Sequence, residues 1–219
     1  MKIGQVRERY IIKAEKNATN DGIASDNLRF ALLFNESQNK FFNIHLKDRK
    51  IDTIRDVQNF LVLDQKISPL KKSNDKVDFK LPKNYFDLSS ARAMAKKENC
   101  YATIKIDELR TENLSEVIED ELSKPSFEWR QALYTINANN ISVYTENKFD
   151  VIEVLLNYYR YPNQIKLLDE NSAESDFDEN FPIEWDDKSL DDIITIMCLN
   201  NDINENNPRF QSQIARLQK

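Results

Sequence analysis

The spacing of apolar residues changes twice along this chain, and this change constrains the fold more than any other feature. Apolar side chains recur every three to four residues in the first part, every second residue in the middle, and every three to four residues again near the end. The first spacing places apolar groups on one side of a helix, and the second places them on one face of a strand. The sequence therefore predicts an α+β protein in which helices flank a central β region.

Residues 1–68 are predicted to form an N-terminal helical segment of three helices. Ser25 or Asp26 suits the N-cap of the second helix, and Asp52 suits the N-cap of the third, which is short. The apolar faces of the three helices are formed by Val6, Tyr10 and Ala14; by Leu28, Ala31, Leu32, Phe41 and Ile44; and by Ile54, Val57, Phe60 and Leu61. Ser68-Pro69 and the polar residues that follow predict a loop, which places the first boundary there.

Residues 69–168 are predicted to form a β core that is mainly antiparallel and sandwich-like. A hairpin turn at 137–140 fits without glycine, because Asn tolerates positive φ better than most residues. The run 149–161 is apolar in both phases, which is typical of a strand covered on both faces. Strands are indicated wherever apolar and polar residues alternate, at 77–81, 100–106, 127–136 and 141–145.

The end of the chain is predicted to contain an acidic arm and two C-terminal helices. Residues 169–187 hold nine Asp or Glu and no Lys or Arg, and both periodicities disappear there, which predicts an extended arm or loop. Two helices are predicted over 188–219. Ser189 and Asp192 resemble a capping box for the first of them, and Pro208 suits the first position of the second. The apolar stripe of the first is Leu190, Ile193, Ile194 and Met197.

Scarce residue types exclude several classes of function. With two Gly, the chain has no glycine-rich phosphate loop. One His, His45, and two isolated Cys, Cys100 and Cys198, do not form a zinc ligand set, and both thiols are expected to be reduced. Neither a membrane span nor a secretory signal is predicted. We therefore predict no catalytic residues, no cofactor and no metal.

Charge is divided unevenly along the chain. Residues 1–100 carry 20 Lys or Arg against 13 Asp or Glu, a net +7, and residues 101–219 carry 11 against 24, a net −13, which together give −6. The basic half leaves open a nucleic-acid-binding or regulatory function. That hypothesis uses Lys71, Lys72, Lys76, Lys80 and Lys83.

Several other residues could take part in catalysis or ligand binding, but we prefer to assign them a role in folding and packing. His45 with carboxylates from 113–130 leaves open a small hydrolase, although no nucleophile motif accompanies the histidine. Trp129 is expected in the core with Arg130 at the surface, because neighbouring residues of a strand point to opposite faces. The aromatic run 158–161 suits base stacking, but a packed strand end is the preferred interpretation.

Several segments, taken in order, are similar to one known family. Their most distinctive motifs are Leu-Pro-x-x-Tyr at 81–85, Pro-Ser-Phe-Glu-Trp at 125–129 and Tyr-Tyr-Arg-Tyr-Pro at 158–162. WDDKSLDDIITIM, which begins at Trp185, and NPRFQSQ, which begins at Asn207, complete the pattern. These segments resemble the ring, or head-to-tail connector, proteins in the neck and tail of crAss-like tailed bacteriophages, over residues 50–219.

The resemblance implies a structural, non-enzymatic virion protein that is made in the host cytoplasm. Members form closed rings, commonly twelve-fold, below the portal, so the implied partners are copies of this chain, the portal protein or neighbouring ring and tail proteins. Genomic DNA would pass through the channel without sequence-specific binding, and no membrane is involved. A ring needs two different contact patches on each subunit. The basic and acidic halves could supply them, and the acidic arm could reach a neighbour.

Overall fold

A computed structural model describes residues 2–17, 27–48, 55–109, 117, 120, 123–168, 176–178 and 181–201. The chain divides into two compact units. One, here called the helical unit, comprises Met1–Asn59 and Pro162–Lys219, and the other, the sheet unit, comprises Phe60–Tyr161. The α+β class with a mostly antiparallel sheet is therefore confirmed, and the two helical ends of the chain belong to one unit.

The helical unit contains α1 (Ile3–Asn17), α2 (Asn27–Asp48) and α3 (Asp187–Asn201). All three form where the apolar spacing predicts a helix. Their buried faces include Val6, Tyr10 and Ala14 in α1, Phe30, Phe34, Phe41 and Phe42 in α2, and Leu190, Ile193, Ile194 and Met197 in α3. The second predicted C-terminal helix, and the predicted N-caps Ser25, Asp26 and Asp52, lie outside the described residues.

The buried face of α2 differs in part from the predicted one, since Ala31 and Phe41 are buried as expected but two leucines are not. Leu28 and Leu32 are 37% and 61% exposed, although the sequence places them in the core. Phe30 is buried instead, and its ring lies 5.9 Å from that of Tyr10 and 5.5 Å from that of Phe177. A position two residues along a helix points to nearly the opposite side. The larger aromatic side chains therefore lie in the core, and Leu28 and Leu32 face outward.

The start of α3 also differs from the predicted capping box. Asp186, rather than Ser189, is the N-cap, since its Oδ1 accepts a hydrogen bond from the Ser189 N–H at 2.7 Å. Its backbone carbonyl accepts from the Leu190 N–H at 2.9 Å. Ser189 is buried within the first turn. The Ser189 N–H holds the pKa of the Asp186 carboxyl below its usual range.

The sheet unit begins at Phe60, the last residue of a short 3₁₀ turn, Gln58–Phe60, and contains a sheet of eight described strands. The strand order is β1-β8-β4-β5-β6-β7-β3-β2, and every pairing is antiparallel except β5 with β6. The strands are β1 (Leu61–Ile67), β2 (Pro69–Lys72), β3 (Lys76–Lys80), β4 (Tyr85–Lys97), β5 (Cys100–Glu108), β6 (Gln131–Asn137), β7 (Asn140–Tyr144) and β8 (Asp150–Arg160).

The two edge strands, β1 and β2, are consecutive in the chain and separated only by Ser68. Pro69 has no N–H to continue the β8 ladder, so the chain changes partner there and β2 pairs with β3. Lys72 of β2 still forms an ion pair with Asp150 of β8. The sheet is therefore curled, and Ser68-Pro69, predicted as a loop, is the point where the strand switches partner. Leu61, predicted on a helix, begins β1.

The curled sheet encloses the core of its unit. Its largest fully buried side chains include Phe79, Ile104, Ile141 and Leu156, which come from four different strands. The apolar alternation predicted for β3 and β5 points to this interior, where Val77, Phe79, Ile104 and Ile106 are buried. Burial of apolar area is the main favourable term in forming such a unit.

A β-bulge in β8 explains why both phases of that strand are apolar. Met94 pairs with Glu153 and Ala95 pairs with Val151, which leaves Ile152 as an extra residue. The inward phase therefore shifts, and Val151, Val154, Leu156 and Tyr158 are all buried. Ile152 is 39% exposed, so the expectation that both faces are covered is wrong at that position.

The β6–β7 hairpin forms at the predicted place and without glycine. Asn137 pairs with Asn140, so Ala138 and Asn139 form a two-residue turn. The positive φ of 50° belongs to Ala138 rather than to an asparagine. The turn is therefore tighter, and less suited to its residue type, than the sequence predicts.

Candidate functional site

One end of the sheet unit brings two of the distinctive sequence motifs into contact. The β3–β4 connection carries Leu-Pro-x-x-Tyr, and the end of β8 carries Tyr-Tyr-Arg-Tyr. The Tyr158 hydroxyl donates to Asn84 Oδ1 at 3.0 Å, and the Tyr161 N–H donates to the Asn84 carbonyl at 2.8 Å. Segments more than seventy residues apart therefore form one local structure.

These segments and the β6–β7 turn surround a cleft of about 430 Å³, here called the aromatic cleft. The Leu81 N–H donates to the Asn139 carbonyl at 2.8 Å, which joins the turn to the β3–β4 connection. The cleft is lined by Lys80, Leu81, Pro82, Lys83, Tyr85, Phe86, Ala138, Asn139 and Tyr161.

Aromatic rings are held in fixed orientations along the cleft. The Tyr161 and Phe86 rings meet edge to face, with centroids 4.7 Å apart and planes at 87°. Tyr158 is buried, which agrees with a packed strand end, whereas Tyr161 remains 43% exposed. The end of β8 therefore presents one ring to solvent on a rigid support.

The charges of the cleft come from two lysines. Lys80 and Lys83 are exposed, and within the part of the chain that the structure describes neither side chain makes a hydrogen bond or ion pair. Burial, with a smaller contribution from Asp87, raises the pKa of Tyr85 to about 12, and burial also raises the pKa of Tyr158. Both phenols therefore stay neutral at physiological pH, and the lysines supply positive charge.

The other three lysines of the nucleic-acid hypothesis lie elsewhere. Lys72 pairs with Asp150, and Lys76 lies 3.7 Å from Asp78. Lys71 is exposed on β2 and does not line the cleft. The basic run of the sequence is therefore divided, and only Lys80 and Lys83 share a concave surface.

Two exposed aromatic residues at the opposite end of β4, Trp129 and Tyr101, are here called the aromatic tip. Tyr101 pairs with Lys96, and Glu128, next to Trp129, contacts Lys97. Trp129 is 68% exposed and Tyr101 is 63% exposed, so the expectation that Trp129 is buried is wrong. Residues 127–130 form a turn, and Arg130 has a φ of 54°. Strand alternation therefore begins only at Gln131, after both residues.

The turn that carries Trp129 is fixed by several hydrogen bonds. Ser126 and Gln131 exchange backbone hydrogen bonds of 2.8 and 3.0 Å, and the Ser126 hydroxyl accepts from the Trp129 N–H at 3.3 Å. Glu128 pairs with Lys97 at the end of β4. The exposed indole therefore projects from a supported turn.

His45, the residue of the hydrolase hypothesis, lies on α2. Its Nδ1–H donates to the Phe41 carbonyl at 2.9 Å, and its Nε2 lies 3.7 Å from Asp56 Oδ2. Burial raises the pKa of nearby Asp192, and Lys188 and His45 oppose that rise. The carboxylates next to His45 thus come from Asp56 and Asp192. Of the predicted region 113–130, most of 113–122 lies outside the described residues, and the hydrolase hypothesis stays a prediction.

The charge division along the sequence is partly neutralised inside the helical unit. Arg9 lies 3.5 Å from Asp187 and 3.9 Å from Asp191. Lys13 donates to the Asp191 carbonyl at 3.1 Å. Basic residues of the first half thus meet acidic residues of the second half within one copy.

The described parts of the acidic segment 169–187 are anchored by aromatic residues. Phe177 is buried against Phe30, and the Trp185 indole N–H donates to Gln38 Oε1 at 3.1 Å. The half-buried Asn35 amide holds the preceding segment as well, since it exchanges hydrogen bonds of 3.0 and 2.8 Å with the backbone of Ile165. The described acidic residues therefore lie next to aromatic side chains, Phe177 and Trp185, that are packed in the core of the helical unit.

Compared with known proteins, the chain matches no family model and no curated sequence. Across the described ranges, no group of three or more His, Cys, Asp or Glu side chains is arranged to hold a metal ion. No helix in the described part of the chain is both long and apolar enough to cross a membrane. Cys100 and Cys198 are both free thiols.

Proposed function

We propose that this chain is a structural subunit that assembles with copies of itself into a closed ring in the head-to-tail connector or tail of a tailed bacteriophage. The observation that carries the proposal is the aromatic tip, where Trp129 and Tyr101 are 68% and 63% exposed on a supported turn and hairpin. The contact between the Leu-Pro-x-x-Tyr and Tyr-Tyr-Arg-Tyr motifs also supports it, because the segments that carry the family resemblance form one local structure.

Exposed aromatic side chains on a rigid support favour protein association. Trp and Tyr dominate the binding energy of many interfaces, because each buries a large area with few rotatable bonds. The hydrogen bonds of Ser126 and the Lys97–Glu128 pair order the turn before binding, which lowers the entropy cost of forming a contact. The aromatic tip is therefore suited to the centre of a subunit interface.

A ring also requires a second patch, different from the first. Leu63 of β1 and Leu70 of β2 are 65% and 62% exposed on the strands that close the curled sheet. A contact between the aromatic tip of one copy and these two leucines of the next is heterologous. It closes into a ring when a whole number of identical rotations completes one full turn without a shift along the axis.

The proposal also includes the ring symmetry, the neighbouring proteins and the channel that the family resemblance implies. They are a twelve-fold ring below the portal, contact with the portal protein or neighbouring ring and tail proteins, and a channel through which genomic DNA passes. A sandwich-like packing of the two halves of the curled sheet completes it.

The test is the mass of the purified chain in solution, measured by light scattering and native mass spectrometry. Wild type is expected to form a closed oligomer, seen as rings by electron microscopy. Trp129→Ala is expected to weaken each contact by about 30-fold, since hot-spot truncation costs about 2 kcal/mol or more. Leu32→Ala, which removes an equally exposed apolar side chain from α2, is the matched control and is expected to assemble like wild type.

Circular dichroism of both variants separates assembly from folding, because Trp129 contributes little to the core of its unit. A wild-type chain that stays monomeric at every concentration, and that mass spectrometry does not find in particles of the phage that encodes it, would overturn the proposal. Equal loss of assembly in Trp129→Ala and Leu32→Ala would remove the aromatic tip as the interface.

A further inference from the structure

The aromatic cleft combines three properties that the proposed ring function does not use. It is concave, it contains an exposed ring in a fixed orientation, and it is bordered by two lysines that make no ion pair within the described residues. We propose that this cleft binds a nucleotide unit, with the base stacked on Tyr161 and the phosphate held by Lys80 and Lys83.

Tyr161 supplies the stacking surface. Its N–H donates to the Asn84 carbonyl, and its ring meets Phe86 edge to face, so both its backbone and its side chain are positioned before any ligand arrives. It nevertheless remains 43% exposed. Stacking of a base on an aromatic side chain tolerates any sequence, because every base has a π face.

Lys80 and Lys83 supply the charge. Lys80 is the last residue of β3, and Lys83 follows Leu81-Pro82, so both ammonium groups border the same cleft. Each is a flexible point charge, which suits a phosphate group whose position varies. The neutral phenol of Tyr85 adds no opposing charge at physiological pH.

The walls of the cleft are already joined in the absence of a ligand. The Leu81–Asn139 and Tyr158–Asn84 hydrogen bonds tie the β6–β7 turn and β8 to the β3–β4 connection. The volume of about 430 Å³ is within the range of small-ligand sites, about 300–1,000 Å³. A preformed cleft of this size accommodates one base with its phosphate without rearrangement of the backbone.

The aromatic component distinguishes this ligand from an acidic peptide. Two lysines alone attract carboxylates and phosphates alike, but Asp and Glu side chains offer no ring to stack on Tyr161. The nucleotide unit can belong to a single strand or be free in solution, and both sources share the recognised chemistry. Oligonucleotide and mononucleotide probes separate them.

The experiment is a fluorescence titration of the full chain with a labelled ten-nucleotide oligothymidylate, and a parallel titration with ATP, at 50 and 200 mM salt. Binding is expected to weaken with salt, because phosphate contacts release counterions. Tyr161→Leu is expected to weaken binding about tenfold or more by loss of stacking. The double variant Lys80→Ala/Lys83→Ala is expected to weaken binding to a similar extent and to reduce its dependence on salt.

Lys71→Ala is the matched control, because Lys71 is an equally exposed lysine without an ion pair on β2, outside the cleft. It is expected to bind like wild type. Saturable binding of ATP assigns a free nucleotide, and binding of the oligonucleotide alone assigns a strand; both support the proposal. Four outcomes would overturn it: binding of neither probe at 50 mM salt, equal loss in Lys71→Ala, no loss in Tyr161→Leu, or equal competition by a poly-glutamate peptide. The oligomeric mass of each variant is measured alongside. A variant that loses nucleotide binding but keeps its oligomeric mass tests the cleft alone and leaves the ring proposal untouched.

Discussion

Replacement of Asp186 by Ala tests the N-cap of α3. The Asp186 carboxylate accepts the Ser189 N–H at 2.7 Å, and Ser189 is 1% exposed. In the Ala variant that N–H loses its acceptor at a position where water has little access. Loss of an N-cap costs about 0.5–2 kcal/mol, and the burial of Ser189 places the expected cost in the upper half of that range.

The assay is equilibrium unfolding in urea, followed by far-ultraviolet circular dichroism. The variant is expected to unfold at lower urea with an unchanged slope, and its thermal midpoint is expected to fall by about 2–4 °C for each kcal/mol. Asp186→Asn keeps an acceptor oxygen, so its free energy of unfolding is expected to fall less than that of Asp186→Ala. Asp187→Ala is the matched control, since it removes a charge from the same helix end, with its exposed ion pair to Arg9, but leaves the Ser189 hydrogen bond in place. An exposed ion pair contributes only about 0–1 kcal/mol.

The dependence on pH gives a second criterion. The Ser189 N–H lowers the folded pKa of Asp186 below the unfolded value of about 3.9. The charged cap therefore stabilises fully above that unfolded value, and its contribution is lost as the pH falls through the folded pKa. The difference in free energy of unfolding between wild type and Asp186→Ala is expected to be constant from about pH 8 to 5 and to narrow below about pH 3.9. Equal destabilisation by Asp187→Ala, or a difference that does not narrow at all as the pH falls below about 3.9, would refute the assignment of Asp186 as the cap.

Two other predictions concern the cores of the units. Ile194→Asp is expected to prevent folding of the helical unit, because it places an unpaired charge at a position that is 1% exposed, whereas Ile12→Asp, at a position 54% exposed, is expected to fold; a soluble, native-like Ile194→Asp by circular dichroism would contradict this. Tyr85→Phe is expected to remove a phenol that ionises near pH 12 in an alkaline absorbance titration. Because the folded pKa of Tyr85 is raised, its stabilising effect is complete below about pH 10 and is lost as the pH rises through about 12. An unchanged titration in the variant would show that the late phenol is another residue.

Local patterns were sufficient for the elements that pack through one regular face. The four-residue spacing of Val6, Tyr10 and Ala14 predicts α1, and all three are buried. The alternation of Val77 and Phe79 predicts β3 in the same way. Where two apolar phases compete, as with Leu32 and Phe34 in α2, the spacing does not say which one faces the core.

The candidate sites were less accessible to prediction. The aromatic tip depends on a turn whose backbone has a φ of 54° at Arg130, which shifts Trp129 out of the strand phase. The aromatic cleft joins residues from β3, the β6–β7 turn and β8, and no local signal links them. The abundance of Tyr near the end of β8 and the Leu-Pro-x-x-Tyr motif were visible, but their contact was not.

The sequence by itself determined the α+β class and the approximate positions of the three described helices, because helix and strand periodicities depend on residues a few positions apart. Only the tertiary structure decided that Pro69 moves a strand from β8 to β3, that Arg9 lies 3.5 Å from Asp187, and that Tyr161 meets Phe86. Those outcomes depend on which distant segments share a core or a sheet edge, and the spacing of neighbouring residues carries no information about that choice.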